Sequence, residues 1–195
     1  MTPLAAIVLA AGPSEALGEP VQLIDWNDQP LLEFIVGELA SWDVDPLVVV
    51  LGWKADEILG ATNLGSAVVV VNYGWEAGLG SSVTVGLDHL ARERVSVPSL
   101  LVLGNQPGIT RDHVAALTAG HAGDITLPIY RYEPGYPIIV DRIRWDDVMS
   151  RRLPPLEIAA AHPQWVTEIR FDKAAPPRIK VTSDVARAHD RFGAA

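Results

Sequence analysis

Four segments of the 195-residue chain combine glycines and polar residues in spacings that suit the binding of an anion or a small ligand. Each segment follows an apolar run, and open α/β sheets bind ligands where their strands end. The first segment, LAAGPSEALGEPVQL (residues 9–23), places a glycine turn directly after the apolar run of residues 4–8. Such a turn allows backbone N–H groups to approach a phosphate closely. The other three segments cover residues 72–87, 101–110 and 131–140.

The first two segments differ in the chemistry that they offer. Residues 72–87, NYGWEAGLGSSVTVGL, contain three glycines and then Ser81 or Ser82, either of which is predicted to cap a helix whose N-terminus can face an anion. The opening loop, by contrast, contains Glu15 and Glu19 but no lysine or arginine. An acidic loop is an unusual choice for phosphate, and this raises the question of where positive charge would come from.

Charge and composition limit the partners. The net charge is −9, and residues 1–53 contain eight acids but no base before Lys54, which argues against nucleic acid as a partner. No apolar stretch reaches the roughly 18 residues that span a bilayer, so no membrane partner is expected. The chain has no cysteine, and no basic residue precedes the first apolar run. We therefore expect a cytoplasmic protein with a small molecule or another protein as its partner.

The pattern of apolar runs predicts one α/β domain over residues 1–195. Strands are predicted at residues 4–9, 47–51, 67–71 and 100–103, alternating with helices at 31–39, 55–59, 81–92 and 111–119, the last capped by Thr110. This alternation indicates a mostly parallel central sheet. The second half is predicted to be richer in strands, at residues 125–132, 136–140, 165–171 and 178–181, with helices at 141–150 and, capped by Asp184, up to Phe192; a break is expected at Pro154 and Pro155.

The order of these motifs resembles that of the MobA-like NTP-transferase family, in particular its molybdenum-cofactor cytidylyltransferase branch. That family's first motif, L-A-A-G-x-S-x-R-x-G-x-x-K, is matched except at its two basic positions. Its middle motif, N-x-x-W-x-x-G-x-x-S-S, and parts of its L-G-D-Q-P and G-H-P motifs follow in the same order. The matching residues are Leu9, Ala10, Ala11, Gly12, Ser14, Gly18, Asn72, Trp75, Gly78, Ser81, Ser82, Leu103, Gly104, Gln106, Pro107, Gly135 and Pro137.

The resemblance implies a Rossmann-like, three-layer nucleotidyltransferase fold and the transfer of a nucleotidyl group, of the CTP type, to a phosphorylated acceptor such as a molybdopterin-like cofactor. It implies a nucleotide-binding set of Leu9, Ala10, Ala11, Gly12, Ser14, Gly18, Gly104 and Gln106. It also implies an acceptor-side set of Asn72, Trp75, Gly78, Gly80, Ser81, Ser82, Gly135, Tyr136 and Pro137. In active members an aspartate of the L-G-D-Q-P motif binds Mg²⁺.

The chain departs from the family at the charged positions. In our alignment the motif Arg is Ala16, the motif Lys is Val21 and the metal-binding Asp is Asn105. A late acidic motif falls on residues 180–184, where its central acid is Thr182 or, in a shifted register, Asp184. No set of histidines has the spacing of a metal site, so we predict no intact catalytic or metal-binding residue and Mg²⁺ only if the family activity survives.

The loss of the two basic motif residues is expected to weaken triphosphate binding strongly. Losing two charge-assisted hydrogen bonds to a triphosphate costs about 3–6 kcal/mol, a factor on the order of 10²–10⁴ in affinity. Two hypotheses follow. The chain is either a divergent nucleotidyltransferase whose cations come from elsewhere, such as Lys54 or an arginine of a partner subunit, or a non-catalytic relative that binds a small molecule or a protein. The sequence favours the second hypothesis and leaves the oligomeric state open.

Overall fold

The central strands are apolar on both faces because helices cover both faces of the sheet. In the computed structural model, which describes residues 3–192 apart from the side chain of Glu15, Ala6 and Val8 of the first strand belong to one core cluster. Their neighbours Ala5 and Ile7 belong to the other cluster, on the opposite face. This alternation between two buried faces is typical of a parallel sheet between two helical layers.

Eight strands form one mixed sheet. β1, β2, β3 and β4 are parallel to one another, and β7 joins β4 antiparallel, so the sheet runs in the order β3-β2-β1-β4-β7-β5. The short β6 pairs antiparallel with β5, and β8 pairs parallel with it. The strands are β1 (Leu4–Ala10), β2 (Val44–Leu51), β3 (Val68–Val71), β4 (Ser99–Leu103), β5 (Ile125–Tyr130), β6 (Glu133–Pro134), β7 (Ile138–Val140) and β8 (Val166–Phe171).

Seven α-helices lie within the described residues. They are α1 (Leu31–Ala40), α2 (Ala55–Ala61), α3 (Leu79–Arg92), α4 (Arg111–Gly120), α5 (Trp145–Arg151), α6 (Pro155–Ala161) and α7 (Thr182–Phe192). Core residues of α1, α2, α4 and α7 pack in one cluster, and those of α3, α5 and α6 pack in the other. None of the helices that the structure describes combines the length and the apolar character needed to cross a bilayer.

The predicted α/β class and the mostly parallel central sheet are confirmed. The cap of α4 is also confirmed, since its N-cap Thr110 donates its N–H to Nδ1 of His113, at 3.1 Å. The strand-rich second half is present as β5 to β8. These elements are the ones with the clearest apolar periodicity or the clearest capping signal.

One prediction in the last third of the chain is wrong and another is incomplete. The expected strand at residues 178–181 pairs with no other strand, because the Ile179 N–H donates instead to the carbonyl oxygen of Asn105, at 2.8 Å. The break expected at Pro154 and Pro155 is present between α5 and α6, but the sequence did not predict that the pair also starts a helix. The pair opens α6, since Pro155 occupies the first helical position, where a proline's missing N–H leaves no bond unmade.

Three helix starts also differ from prediction. Asp184 does not cap the last helix, because α7 begins at Thr182 and contains Asp184 in its first turn. The expected helix at residues 141–150 begins as a 3₁₀ turn, Arg142–Arg144, and becomes α-helical only at Trp145. Helix α3 begins at Leu79, two residues before the expected start, and no side chain caps it. The Ser81 hydroxyl instead donates to the carbonyl oxygen of Gly78, at 2.7 Å.

Helix α3 can approach the chain after α5 only because residue 80 is glycine. A Cβ atom at this position would meet the Arg152 carbonyl group at contacts too short for any side chain. We expect Gly80→Ala to lower the free energy of unfolding by about 1–3 kcal/mol in urea denaturation. Gly60→Ala in α2 is the matched control, since its Cβ meets nothing within 4 Å and should not destabilise the protein. Equal stabilities for the two variants would contradict this packing.

Candidate functional site

An open cleft lies where β1 and β4 end. Its first compartment, of about 380 Å³, is lined by the opening loop through Gly12, Ser14 and Ala16 and by the end of β4 through Gly104 and Asn105. Leu9, Ala10 and Val21 also line it. The structure therefore brings together most of the predicted nucleotide-binding set and all three positions where the chain departs from the family's charged residues.

Internal hydrogen bonds hold the opening loop in place. Ser14 is buried, and its hydroxyl accepts the Val21 N–H at 2.8 Å, which closes the loop upon itself. The buried Gln22 donates its Nε2 to the carbonyl oxygen of Ala10 at 2.5 Å, and its Oε1 has no partner within the described residues. Gly18 has a φ of +77°, a left-handed conformation that favours glycine, and does not line the compartment. Ser14 and Gly18 thus shape the loop.

Asn105 and Gln106 bind the segment that precedes α7. The Asn105 side-chain amide donates to the Ile179 carbonyl oxygen at 2.9 Å, and the Ile179 N–H returns a bond to the Asn105 carbonyl oxygen at 2.8 Å. Buried Gln106 donates its Nε2 to the Pro176 carbonyl oxygen at 2.8 Å. We call residues 176–181 the tail segment. Its residues Arg178, Ile179 and Lys180 line the first compartment together with the opening loop.

The tail segment brings positive charge into the first compartment. Arg178, Ile179 and Lys180 all line it, and the described lining side chains include no carboxylate. Ile179 is buried in the core and anchors the segment, whereas Arg178 and Lys180 are exposed at the cleft. The cations of this compartment therefore come from the tail segment and not from the loop that the family motif predicted.

The late acidic motif does not reach this compartment. The Asp184 carboxylate accepts the N–H groups of Lys180 and Val181, at 3.0 and 3.1 Å, and pairs with Arg187 at 3.2 Å. The bond from the Lys180 N–H is the main cause that lowers the pKa of Asp184 below its usual value. Neither Thr182 nor Asp184 lines the compartment, so in neither register does the motif present an acid there.

A second compartment, of about 310 Å³, adjoins the first. Leu9, Gly12, Pro13 and Leu79 line both, while Ala11, Trp75, Glu76, Gly78 and Ser82 line only the second. Glu76 is its one charged lining residue among the described side chains. This compartment is thus mainly apolar, carries an indole ring and contributes no cation.

The predicted acceptor-side loop is held by one buried amide. Asn72 donates its Nδ2 to the hydroxyls of Ser81 and Ser82, at 2.9 and 3.1 Å, and accepts the Gly74 N–H at 3.0 Å. The middle motif therefore brings its asparagine and both serines together, as its spacing suggested. Of these four residues only Ser82 lines the second compartment, so the others position the loop.

The remaining acceptor-side residues lie in packed regions outside both compartments. A Cβ atom at Gly135 would contact the Tyr130 ring, and the Tyr130 hydroxyl donates to the Tyr136 carbonyl oxygen at 3.0 Å. Tyr136 is buried, and this burial raises the pKa of its phenol above the ordinary value. Gly80 has the packing role described above, and Gly135, Tyr136 and Pro137 do not line the cleft.

Sequence reasoning missed several lining residues. Arg178 and Lys180 were placed in a strand and in an acidic motif, although a basic pair near the end of a net-acidic chain was a usable signal. Gln22 and Glu76 carried no recognisable signal. Lys54, which was considered as a replacement cation, pairs with Glu57 at 2.9 Å and does not line either compartment.

The fold is that of nucleotidyltransferases. A nucleotidyl transferase from Methanothermobacter thermautotrophicus superposes with a TM-score of 0.78 at 21% identity, over 98% of this chain and 97% of its own. A homologue of Mycobacterium tuberculosis Rv0371c, from Mycobacterium sp. strain JC1, is 31% identical and superposes with a TM-score of 0.81, covering 94% of this chain and 93% of its own. The architecture therefore places the chain in the nucleotidyltransferase fold class.

The chain belongs to the MobA-like NTP transferase family, because residues 6–158 match the model of the MobA-like NTP transferase domain. It is also 29% identical to the nicotine blue oxidoreductase of Paenarthrobacter nicotinovorans over 144 residues. This aligned stretch covers 69% of each of the two chains. The family match ends at residue 158, before Arg178 and Lys180 of the tail segment.

The hydrogen bond from the Asn105 side chain is expected to hold the tail segment in place. Asn105→Asp replaces the donor to the Ile179 carbonyl oxygen with a second acceptor. The free energy of unfolding should fall by about 1–3 kcal/mol. Amide hydrogen exchange should become faster over residues 176–181. Asn63→Asp is the control, since the Asn63 side chain accepts a bond from the Gly65 N–H and aspartate retains that ability, while the backbone N–H that donates to Glu33 is unchanged. Unchanged exchange in Asn105→Asp would show that this amide does not hold the segment.

Proposed function

We propose that this protein binds a nucleotide in the cleft, with the phosphates in the first compartment, and that Mg²⁺-dependent nucleotidyl transfer is weak or lost. The observation that carries the proposal is the open compartment itself. It is bounded by the glycine turn at Gly12 on one side and by Arg178 and Lys180 on the other. Backbone N–H groups of such a turn and nearby cations are the usual ligands of phosphate oxygens.

The residues present do not fit the Mg²⁺ ion that the family resemblance implies. Asn105 offers a neutral amide where the motif has a carboxylate, and its donor is committed to Ile179. Asp184 is committed to two backbone N–H groups and to Arg187. Across residues 3–192 no group of three or more carboxylate, histidine or cysteine side chains could hold a metal. Mg²⁺ prefers several oxygen ligands that include carboxylates, and we derive no step through it.

An oxidoreductase is the second candidate function, and the second compartment favours it. That compartment is apolar, contains Trp75 and lacks a cation that would bind a phosphorylated acceptor. An aromatic, unphosphorylated molecule suits such surroundings better, because an indole ring stacks on flat rings. The nicotine blue oxidoreductase, similar to this chain over 144 residues, is named for an oxidoreductase activity. In this function the nucleotide would be a redox cofactor.

Binding of nucleotides is tested by thermal unfolding with ATP, CTP, GTP, NADH and NADPH, each with Mg²⁺ and with EDTA. We expect at least one nucleotide to raise the melting temperature to a similar extent in both conditions, since a ligand at 100 times its Kd adds about 2.7 kcal/mol of stability. Pyrophosphate release from the triphosphates should stay at background. A stabilising effect that requires Mg²⁺, together with pyrophosphate release, would contradict the loss of transfer.

A variant that fills the cleft is the control for the location. The Cβ position of Gly12 meets nothing within 4 Å and Gly12 lines both compartments, so Gly12→Leu should abolish the nucleotide effect while the protein stays folded. Gly37→Leu, at an exposed position of α1 that also has open space, should leave binding intact. A selective effect of NADH or NADPH would favour the oxidoreductase. No effect of any nucleotide would overturn the proposed function.

A further inference from the structure

Two cations in the cleft form no direct ion pair or hydrogen bond through their side chains within residues 3–192, although the charge of Lys180 is felt by Asp184. Arg178 and Lys180 line the first compartment, and neither side chain forms an ion pair or a hydrogen bond within the described part of the chain. Some of the other cations are paired with carboxylates. Arg144 pairs with Asp124 at 2.7 Å, and Arg111 pairs with Asp43 at the same distance. Positive charge that is left unpaired beside a cavity is available to a ligand.

The backbone that carries these cations is fixed on both sides of Arg178. Gln106 holds the carbonyl group of Pro176, and Asn105 holds both polar backbone groups of Ile179. The buried Ile179 side chain anchors the segment in the core. Lys180 follows directly, and its N–H is bound by the Asp184 carboxylate. The backbone that carries the two cations is therefore fixed before a ligand binds, so binding does not have to order this segment of main chain and only the two exposed side chains lose conformational freedom.

The charge environment also favours an anion at this wall. Arg178 is close enough to the buried Tyr136 for its charge to oppose the rise in the pKa of that phenol, although desolvation dominates. The nearest acid of the tail, Asp184, is turned towards the backbone of Lys180 and Val181 and does not line the compartment. The cavity is thus lined both by the positive charge of the tail segment and by the glycine turn at Gly12.

We infer that Arg178 and Lys180 bind the phosphate groups of the ligand, in place of the cations that the opening loop lacks at Ala16 and Val21. This inference rests on the proposed function, and it assigns to these two residues the positive charge that phosphate binding requires. Phosphate oxygens between the glycine turn and the tail segment would accept hydrogen bonds from both walls. Because both cations belong to the protein, this mode of binding needs no metal ion.

The test is the affinity of the wild type and of Arg178→Gln/Lys180→Gln for two probes, the nucleotide that binds best and inorganic tripolyphosphate, measured by calorimetry at two salt concentrations. We expect each single substitution to weaken binding about tenfold or more and the double variant to lose most of the salt dependence, since the ionic contacts are gone. Arg178→Lys keeps the charge and should restore part of the affinity. Both side chains are exposed, so the variants should keep the wild-type melting temperature.

The matched control is Arg170→Gln/Lys173→Gln, which removes the same net charge from residues outside the cleft and should bind like the wild type. If the wild type binds a nucleotide and the cleft double variant binds it equally well, the inference is wrong and the proposed function stands. If only tripolyphosphate binds, and its binding requires Arg178 and Lys180, the anion site is supported and the proposal that the ligand is a nucleotide is wrong. If the wild type binds neither probe, both proposals are overturned.

Discussion

The bonds between the end of β4 and the tail segment are the contact on which the site depends. Asn105 and Gln106 occupy positions that the family motif gives to a metal-binding aspartate and its neighbour, yet here they hold the backbone at Pro176 and Ile179. An asparagine can do this because it offers a donor and an acceptor together, whereas an aspartate offers only acceptors. The same amide that removes a metal ligand therefore builds one wall of the cleft.

The amide at Asn105 connects two features that are far apart in the sequence, namely the missing acid at position 105 and the basic residues of the tail segment. A site that binds a triphosphate through Mg²⁺ needs carboxylates near the phosphates, and those carboxylates need the metal to offset their repulsion. Once Asn105 replaces the acid, cations can neutralise the phosphates directly. Arg178 and Lys180 lie on the segment that Asn105 holds. A neutral residue at position 105, where the family motif has an acid, and positive charge elsewhere in the lining of the cavity are thus physically consistent with one another.

The parts of the fold that could be predicted are those set by local periodicity. The strands near residues 4–10 and 99–103 are continuous apolar runs, and Thr110 is a clear cap, so their positions followed from the sequence. The tail segment could not be predicted in this way. Its extended backbone resembles a strand, but its partner is the end of β4, 74 residues away in the case of Asn105 and Ile179, and only the folded chain brings them together.

The acidic opening loop is compatible with an anion site for the same reason. Glu19, like Asp25, is exposed, and charges in water are screened over about 8 Å at physiological ionic strength. Arg178 and Lys180 are exposed as well, but they line the cavity and can contact a phosphate bound there directly, whereas Glu19 does not line it. The net charge of the first quarter of the chain therefore does not set the sign of the site. That sign depends on which side chains line the cavity, and the tail segment provides the basic ones.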